Sequence, residues 1–163
     1  MTFSPPTADD RRFLWEAVDL SRRCPPSTTA FSVGAVIVRE GDVVSTGFSR
    51  EERDDEHAEE LAIRRAEAAG RSLHGCTLYS SLEPCSVRKS GRRACCDRII
   101  EAGIARVVYA SAEPPLFVSG QGAARLRASG VDVLQLEELA GAVRRVNAHL
   151  PWDEGRPAKP DGE

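Results

Sequence analysis

The chain has 163 residues, 41 % hydrophobic and 29 % charged, the length and balance of one soluble globular domain with a core of its own. No apolar run reaches the roughly 18–20 residues of a membrane span, and residues 1–10 lack the apolar core of a signal peptide, so the expected location is cytoplasmic. A net charge of −3 offers no overall positive field for nucleic acid, and five cysteines, an odd number, point to metal binding rather than a disulfide scaffold.

Thr7 reads as the N-cap of a first helix over 8–23, with Asp9 and Asp10 in its first turn and Phe13, Leu14, Ala17, Val18 and Leu20 at helical spacing. Cys24-Pro25-Pro26 stops it. Residues 31–38 and 43–48 read as two strands of a hairpin, turned at Glu40-Gly41-Asp42. A charged loop over 49–56 follows, in which Asp54 or Asp55 is a candidate cap for a helix ended by Gly70. Residues 76–80 read as a buried strand, 83–93 as a long loop, and a helix starts near Cys95 and ends at Gly103. A strand over 106–110, a helix over 119–129, a strand over 131–134 and an amphipathic helix through Leu136, Leu139, Ala140, Val143, Val146 and Leu150 complete the pattern. Residues 151–163 read as a mobile tail, leaving one domain over 8–150. The alternation predicts an α/β fold, one five-stranded mixed sheet with helices on both faces.

Two stretches, residues 54–60 and 82–97, carry chemistry. His57-Ala58-Glu59 opens one predicted helix, and Cys95-Cys96-Asp97 opens another. Leu82-Glu83-Pro84-Cys85 lies just beyond a strand. Two helix N-termini thus point toward one spot, where their partial positive charge favours thiolate over thiol. One imidazole and two thiolates suit zinc with one coordination position left for water. Glu59, two residues from a ligand, is placed to carry protons. His-x-Glu followed by Pro-Cys is the pattern of zinc nucleobase deaminases, although nine residues separate Cys85 from Cys95 where that pattern has two.

These motifs resemble the cytidine deaminase-like superfamily. Within it, Cys95-Cys96-Asp97 after a long loop, Val107-Val108-Tyr109-Ala110, Gly120-Gln121-Gly122 and Gly130-Val131-Asp132-Val133 resemble the deaminase domain of riboflavin-biosynthesis deaminase–reductases. The resemblance covers roughly residues 10–135. It implies a three-layer αβα fold, a homo-oligomer (dimer or higher), zinc held by His57, Cys85 and Cys95, and Glu59 as the catalytic proton shuttle. The implied reaction is hydrolysis of a ring amino group on a small aminopyrimidine, with release of ammonia. The substrate would be a cytosine-type base, nucleoside or nucleotide, or a riboflavin-pathway-like diaminopyrimidine. Expected substrate-binding residues are Phe31, where such proteins present a wall to a flat base, Ser49, Ser81, and Glu113 at the pocket mouth.

The chain departs from that pattern at Ala30-Phe31, Gly47-Phe48-Ser49, Val87-Arg88-Lys89 and Glu113-Pro114-Pro115, all around the expected pocket. The expectation is therefore retained chemistry with a changed substrate. A purine or tRNA adenosine deaminase and a non-catalytic zinc-binding module are the alternatives. Cys96 competes with Cys95 as a ligand, and the resemblance favours Cys95. Glu83 supports either the ligands or nearby backbone. Arg88, Lys89, Arg92 and Arg93 form either a phosphate site or a solvated loop. His74 and His149 read as surface residues.

Overall fold

The computed structural model describes residues 5–88, 90–112 and 121–150. Thr7 and Asp10 open helix α1 (Ala8–Ser21) with a reciprocal cap: the Thr7 hydroxyl accepts the Asp10 N–H at 3.0 Å, and the Asp10 carboxylate accepts the Thr7 N–H at 2.9 Å. Strands β1 (Gly34–Arg39) and β2 (Asp42–Phe48) form the hairpin. Glu40 and Gly41 both adopt positive φ, as a two-residue turn matched to strand twist requires. Helix α2 (Ala58–Ala68), strand β3 (Thr77–Leu82), helix α3 (Cys95–Glu101), strand β4 (Arg106–Ser111), helix α4 (Gly122–Ala128), strand β5 (Asp132–Gln135) and helix α5 (Ala140–Val146) follow.

The sheet order is β2-β1-β3-β4-β5. β1 runs antiparallel to both neighbours, whereas β3, β4 and β5 are parallel and joined through α3 and α4. α1 and α5 pack together on one face; α2, α3 and α4 line the other. Ala35, Val36, Ile37, Leu78, Val107 and Val108 fill the core between the layers. This is the expected three-layer αβα fold with a five-stranded mixed sheet. No helix of the described residues is long and apolar enough to cross a membrane.

Four local expectations shift. β1 starts at Gly34, not at residue 31, because the two preceding N–H groups bond elsewhere: Ser32 donates to Asn147 Oδ1 at 2.7 Å and Val33 to Ser49 Oγ at 3.0 Å. The N-cap of α2 is His57, neither Asp54 nor Asp55; the Asp55 carboxylate is turned to Arg92. The final helix begins as a 3-10 turn (Glu137–Leu139); Leu136, Val143 and Leu150 are buried as expected, Ala142 and Asn147 are buried with them, and Leu139, Ala140 and Val146 are half-buried. α4 begins at Gly122; residues 119 and 120 of the predicted helix, Lys89, Glu113 and residues 151–163 lie outside the described residues.

Candidate metal and active site

Parallel strands deliver loops from their carboxyl ends, and in open α/β sheets that edge is where ligands bind. β3 ends at Leu82, and Glu83-Pro84-Cys85 turns directly into the site. Gly122 lets α4 close on this turn: a Cβ there would lie 1.8 Å from the Pro84 carbonyl oxygen. Glu83 bonds backbone, accepting the Ala123 N–H of α4 at 2.8 Å. On the other side, Gly47 lets the first turn of α2 sit on β2, where a Cβ would come within 2.7 Å of Ala58 O. His57 and Glu59 are thereby fixed opposite Cys85.

His57 Nδ1 lies 3.6 Å from Cys85 Sγ and 3.5 Å from Cys95 Sγ. All three atoms fall within 4.8 Å of one another, a cluster able to hold one metal ion. The α3 backbone braces Cys85, with Cys95 N donating to its sulfur at 3.3 Å and Cys96 N to its carbonyl at 3.1 Å. Contact from the Cys95 thiol, against the cost of burial and aided by His57, holds the Cys85 thiol down at about 4. The same contact, together with burial, pushes Cys95 well above the ordinary thiol range. The pair thus carries one negative charge readily and the second only beside a cation, as suits a metal-ligating dithiol. Cys96 points the other way, toward Pro84 O and Gly122 O, and burial pushes its thiol up to about 12.

Glu59 is buried beside this cluster, with Oε2 3.6 Å from Cys95 Sγ. Burial raises its pKa, and the His57 charge opposes that rise. Ser80 Oγ donates to Glu59 Oε1 at 2.8 Å and lies 2.7 Å from Leu82 O. A hydroxyl has one hydrogen and two lone pairs. It can donate to the carboxylate, or accept from the carboxylic acid while donating to Leu82 O. Both protonation states of Glu59 therefore have a partner in the same place.

A cavity of about 270 Å³ opens above these residues, with Phe31, Val33, Leu82 and Val87 as apolar wall. That is just under the roughly 300–1,000 Å³ typical of drug-sized sites and fits a small ring. Phe31 and Ser49 line it. The Ser49 hydroxyl is taken up by the backbone of Val33, accepting its N–H at 3.0 Å and donating to its carbonyl at 3.3 Å. Ser81 does not reach the cavity; it is fully buried and accepts the Gly34 N–H at 3.0 Å. Side chains alternate along a strand, so the adjacent residue Ser80 faces Glu59, and one step of strand phase separates the two serines. Glu113 lies outside the described residues.

Among the described residues of the loop after Cys85, Val87, Ser90, Gly91 and Arg93 are exposed, but its arginines are tied to acidic partners. Arg88 is buried, pairing with Glu60 Oε2 at 2.7 Å and donating to Asp55 O at 2.5 Å. Arg92 and Arg98 reach the same Glu60 carboxylate at 2.9 and 3.0 Å. Arg93 pairs with Glu101. Glu60 follows Glu59 in the first turn of α2, so one buried carboxylate ties loop, α2 and α3 together. Glu60 carries no motif signal; only its burial beside three arginines reveals its part.

The fold and site define a zinc-dependent deaminase architecture, and comparison with known proteins agrees. Residues 7–111 match the family described as the cytidine and deoxycytidylate deaminase zinc-binding region. The chain belongs to this family. It is 40 % identical over 125 residues to the diaminohydroxyphosphoribosylamino-pyrimidine deaminase of Schizosaccharomyces pombe, covering 76 % of this chain but 31 % of that protein. It is 35 % identical to the Buchnera aphidicola protein of the same name, covering 76 % of this chain and 82 % of that one. Among solved structures, the Aspergillus oryzae Rib2 deaminase in complex with DARIPP superposes with a TM-score of 0.75 at 27 % identity, covering 85 % and 90 % of the two chains. Zinc is the ion that both the family and the nitrogen–sulfur–sulfur donor set fit.

Proposed function

We propose that this chain is a zinc-dependent hydrolytic deaminase of a small aminopyrimidine, acting on a cyclic amidine C–N bond. One observation carries the reading: the His57, Cys85 and Cys95 ligand atoms converge within 4.8 Å, and the buried Glu59 carboxylate stands 3.6 Å from one of them beneath the cavity. In this reading His57, Cys85 and Cys95 hold the metal. Bound zinc supplies a coordinated water with pKa lowered to about 7. Glu59 would carry a proton from the attacking water to the ring nitrogen beside the amino-bearing carbon. The carbon would gain the water's oxygen, Glu59 would pass that oxygen's remaining proton to the amino group, and the C–N bond would break to leave a carbonyl and ammonia. Phe31 and Leu82 give the flat ring an apolar wall, and Glu59 stands at the reacting edge.

The deaminase domain is read as residues 8–150. The names of the relatives support a riboflavin-pathway-like diaminopyrimidine, and the family description supports a cytosine-type base, nucleoside or nucleotide. We further propose a homo-oligomer, as the family resemblance implies, and a cytoplasmic location. The test is ammonia release by zinc-loaded protein from a panel of aminopyrimidines and aminopurines. Turnover of at least one aminopyrimidine is expected. Turnover of aminopurines alone would move the substrate to the other ring class, and no turnover of any member would leave a zinc-binding module.

A further inference from the structure

We infer that Ser80 is a positioning residue for the proton shuttle: its hydroxyl fixes one oxygen of the Glu59 carboxyl so that the other faces the metal-ligand cluster. The inference rests on the deaminase reading of the site. Glu59 sits in the first turn of α2, where its own backbone N–H and the Cys95 thiol reach the carboxyl; the last bond of the side chain still rotates broadly, and fixing it takes a further partner from the facing layer. Ser80 supplies the partner. It stands on β3, the central strand of the sheet, with Tyr79 and Ser81 on either side bonded toward α1 and β1. Strand alternation therefore aims Ser80 at the opposite layer, where α2 lies. It is fully buried, and its oxygen is 2.8 Å from Glu59 Oε1. Glu59 Oε2 is left on the side of Cys95 Sγ, at 3.6 Å. Ser80 Oγ bonds Glu59 and the Leu82 carbonyl rather than His57, Cys85 or Cys95, and Ser80 does not line the cavity. Its loss thus removes no bond to a metal donor and, at the cavity wall, only the one to the Leu82 backbone carbonyl.

That separation sets the kinetic signature. Without the hydroxyl, the carboxyl samples orientations in which neither oxygen is aimed at the water. Turnover falls while substrate affinity does not. One oriented hydrogen bond to a charged group is worth on the order of 1.5 kcal/mol, or roughly tenfold in rate. The experiment compares wild-type, Ser80→Ala and Ser80→Thr proteins, each full length and zinc-loaded, on the best aminopyrimidine of the panel. Ser80→Ala is expected to lower kcat by roughly tenfold, with KM and zinc per chain unchanged; Ser80→Thr, which keeps the hydroxyl, is expected to restore it. A crystal structure of Ser80→Ala is expected to show the Glu59 carboxyl in more than one orientation. A kcat for Ser80→Ala equal to wild type, or a loss explained by KM or by missing zinc, would overturn the inference and leave the deaminase reading standing. Wild-type protein that releases no ammonia would overturn both.

Discussion

At the scale of single residues, the site divides into groups that face the metal position and groups that hold those in place. Cys95 and Cys96 show the division most sharply. They are neighbours in sequence, and on a helix neighbours diverge by about 100°. Cys95 meets His57 and Cys85, whereas Cys96 is turned to two backbone carbonyls. Cys95→Ser is therefore expected to lose tightly bound zinc, and Cys96→Ser to keep about one zinc per chain, measured by metal analysis after dialysis. The reverse order would place the ligand set wrongly. His57, Glu59, Cys85 and Cys95 were legible because the chemistry demands those residue types at those spacings. Ser80 was not, since a strand read from sequence has no fixed phase; the expectation named Ser81, as a substrate contact, and Ser81 instead accepts the Gly34 N–H. Arg88 was not legible either. It reads as a free surface cation until Glu60, 28 positions earlier, is brought beside it.

At the scale of elements, three helices end in the same way. Gly70, Gly103 and Gly130 take positive φ just beyond α2, α3 and α4. The next N–H in each case reaches back: Arg71 to Ala66, Ile104 to Ile99, and Val131 to Leu126. These stops were legible as glycines. The closeness of α4 to the metal loop was not, because Gly122 gives no turn signal and matters only for the atom opposite it. Gly122→Ala places a Cβ 1.8 Å from Pro84 O. Backbone must move, and Pro84 precedes Cys85. The expected cost is about 1–3 kcal/mol of stability, with weakened zinc retention, read by denaturant unfolding and a chelator competition. Wild-type stability with wild-type zinc retention would show that α4 does not brace the site. Asn147 is a similar case: its amide accepts the Ser32 N–H and donates to the Ser32 carbonyl, a tie that hydrophobic periodicity does not show.

At the scale of the whole molecule, the order of elements was legible and the joints between layers were not. Asp10 is one such joint. It caps α1, accepts the Tyr79 hydroxyl of β3 at 2.8 Å, and pairs with Arg106 of β4 at 2.7 Å. Burial opposes its ionisation, but these donors together win and hold its pKa at about 2, below the ordinary 3.8. A carboxyl with a depressed folded-state pKa contributes stability above its unfolded pKa and loses it as pH falls through the folded value. The contribution, about 2 kcal/mol at 1.36 kcal/mol per pK unit, is thus full above roughly pH 5 and mostly gone near pH 2. With both proteins metal-free, the stability gap between wild type and Asp10→Asn is expected to shrink by about 2 kcal/mol across that window in urea titrations. A gap independent of pH would show that Asp10 is not the acid-sensitive joint.

The most direct measurement concerns Glu59, because the step from metal site to deaminase depends on a proton carrier beside the ligands. Glu59→Gln keeps the shape and removes the proton carrier. Folded, with one zinc per chain, it is expected to release ammonia from the best aminopyrimidine at least about a hundredfold more slowly than wild type, the low end of what a positioned general acid–base supplies. Ammonia release at the wild-type rate by zinc-loaded Glu59→Gln protein would contradict the account.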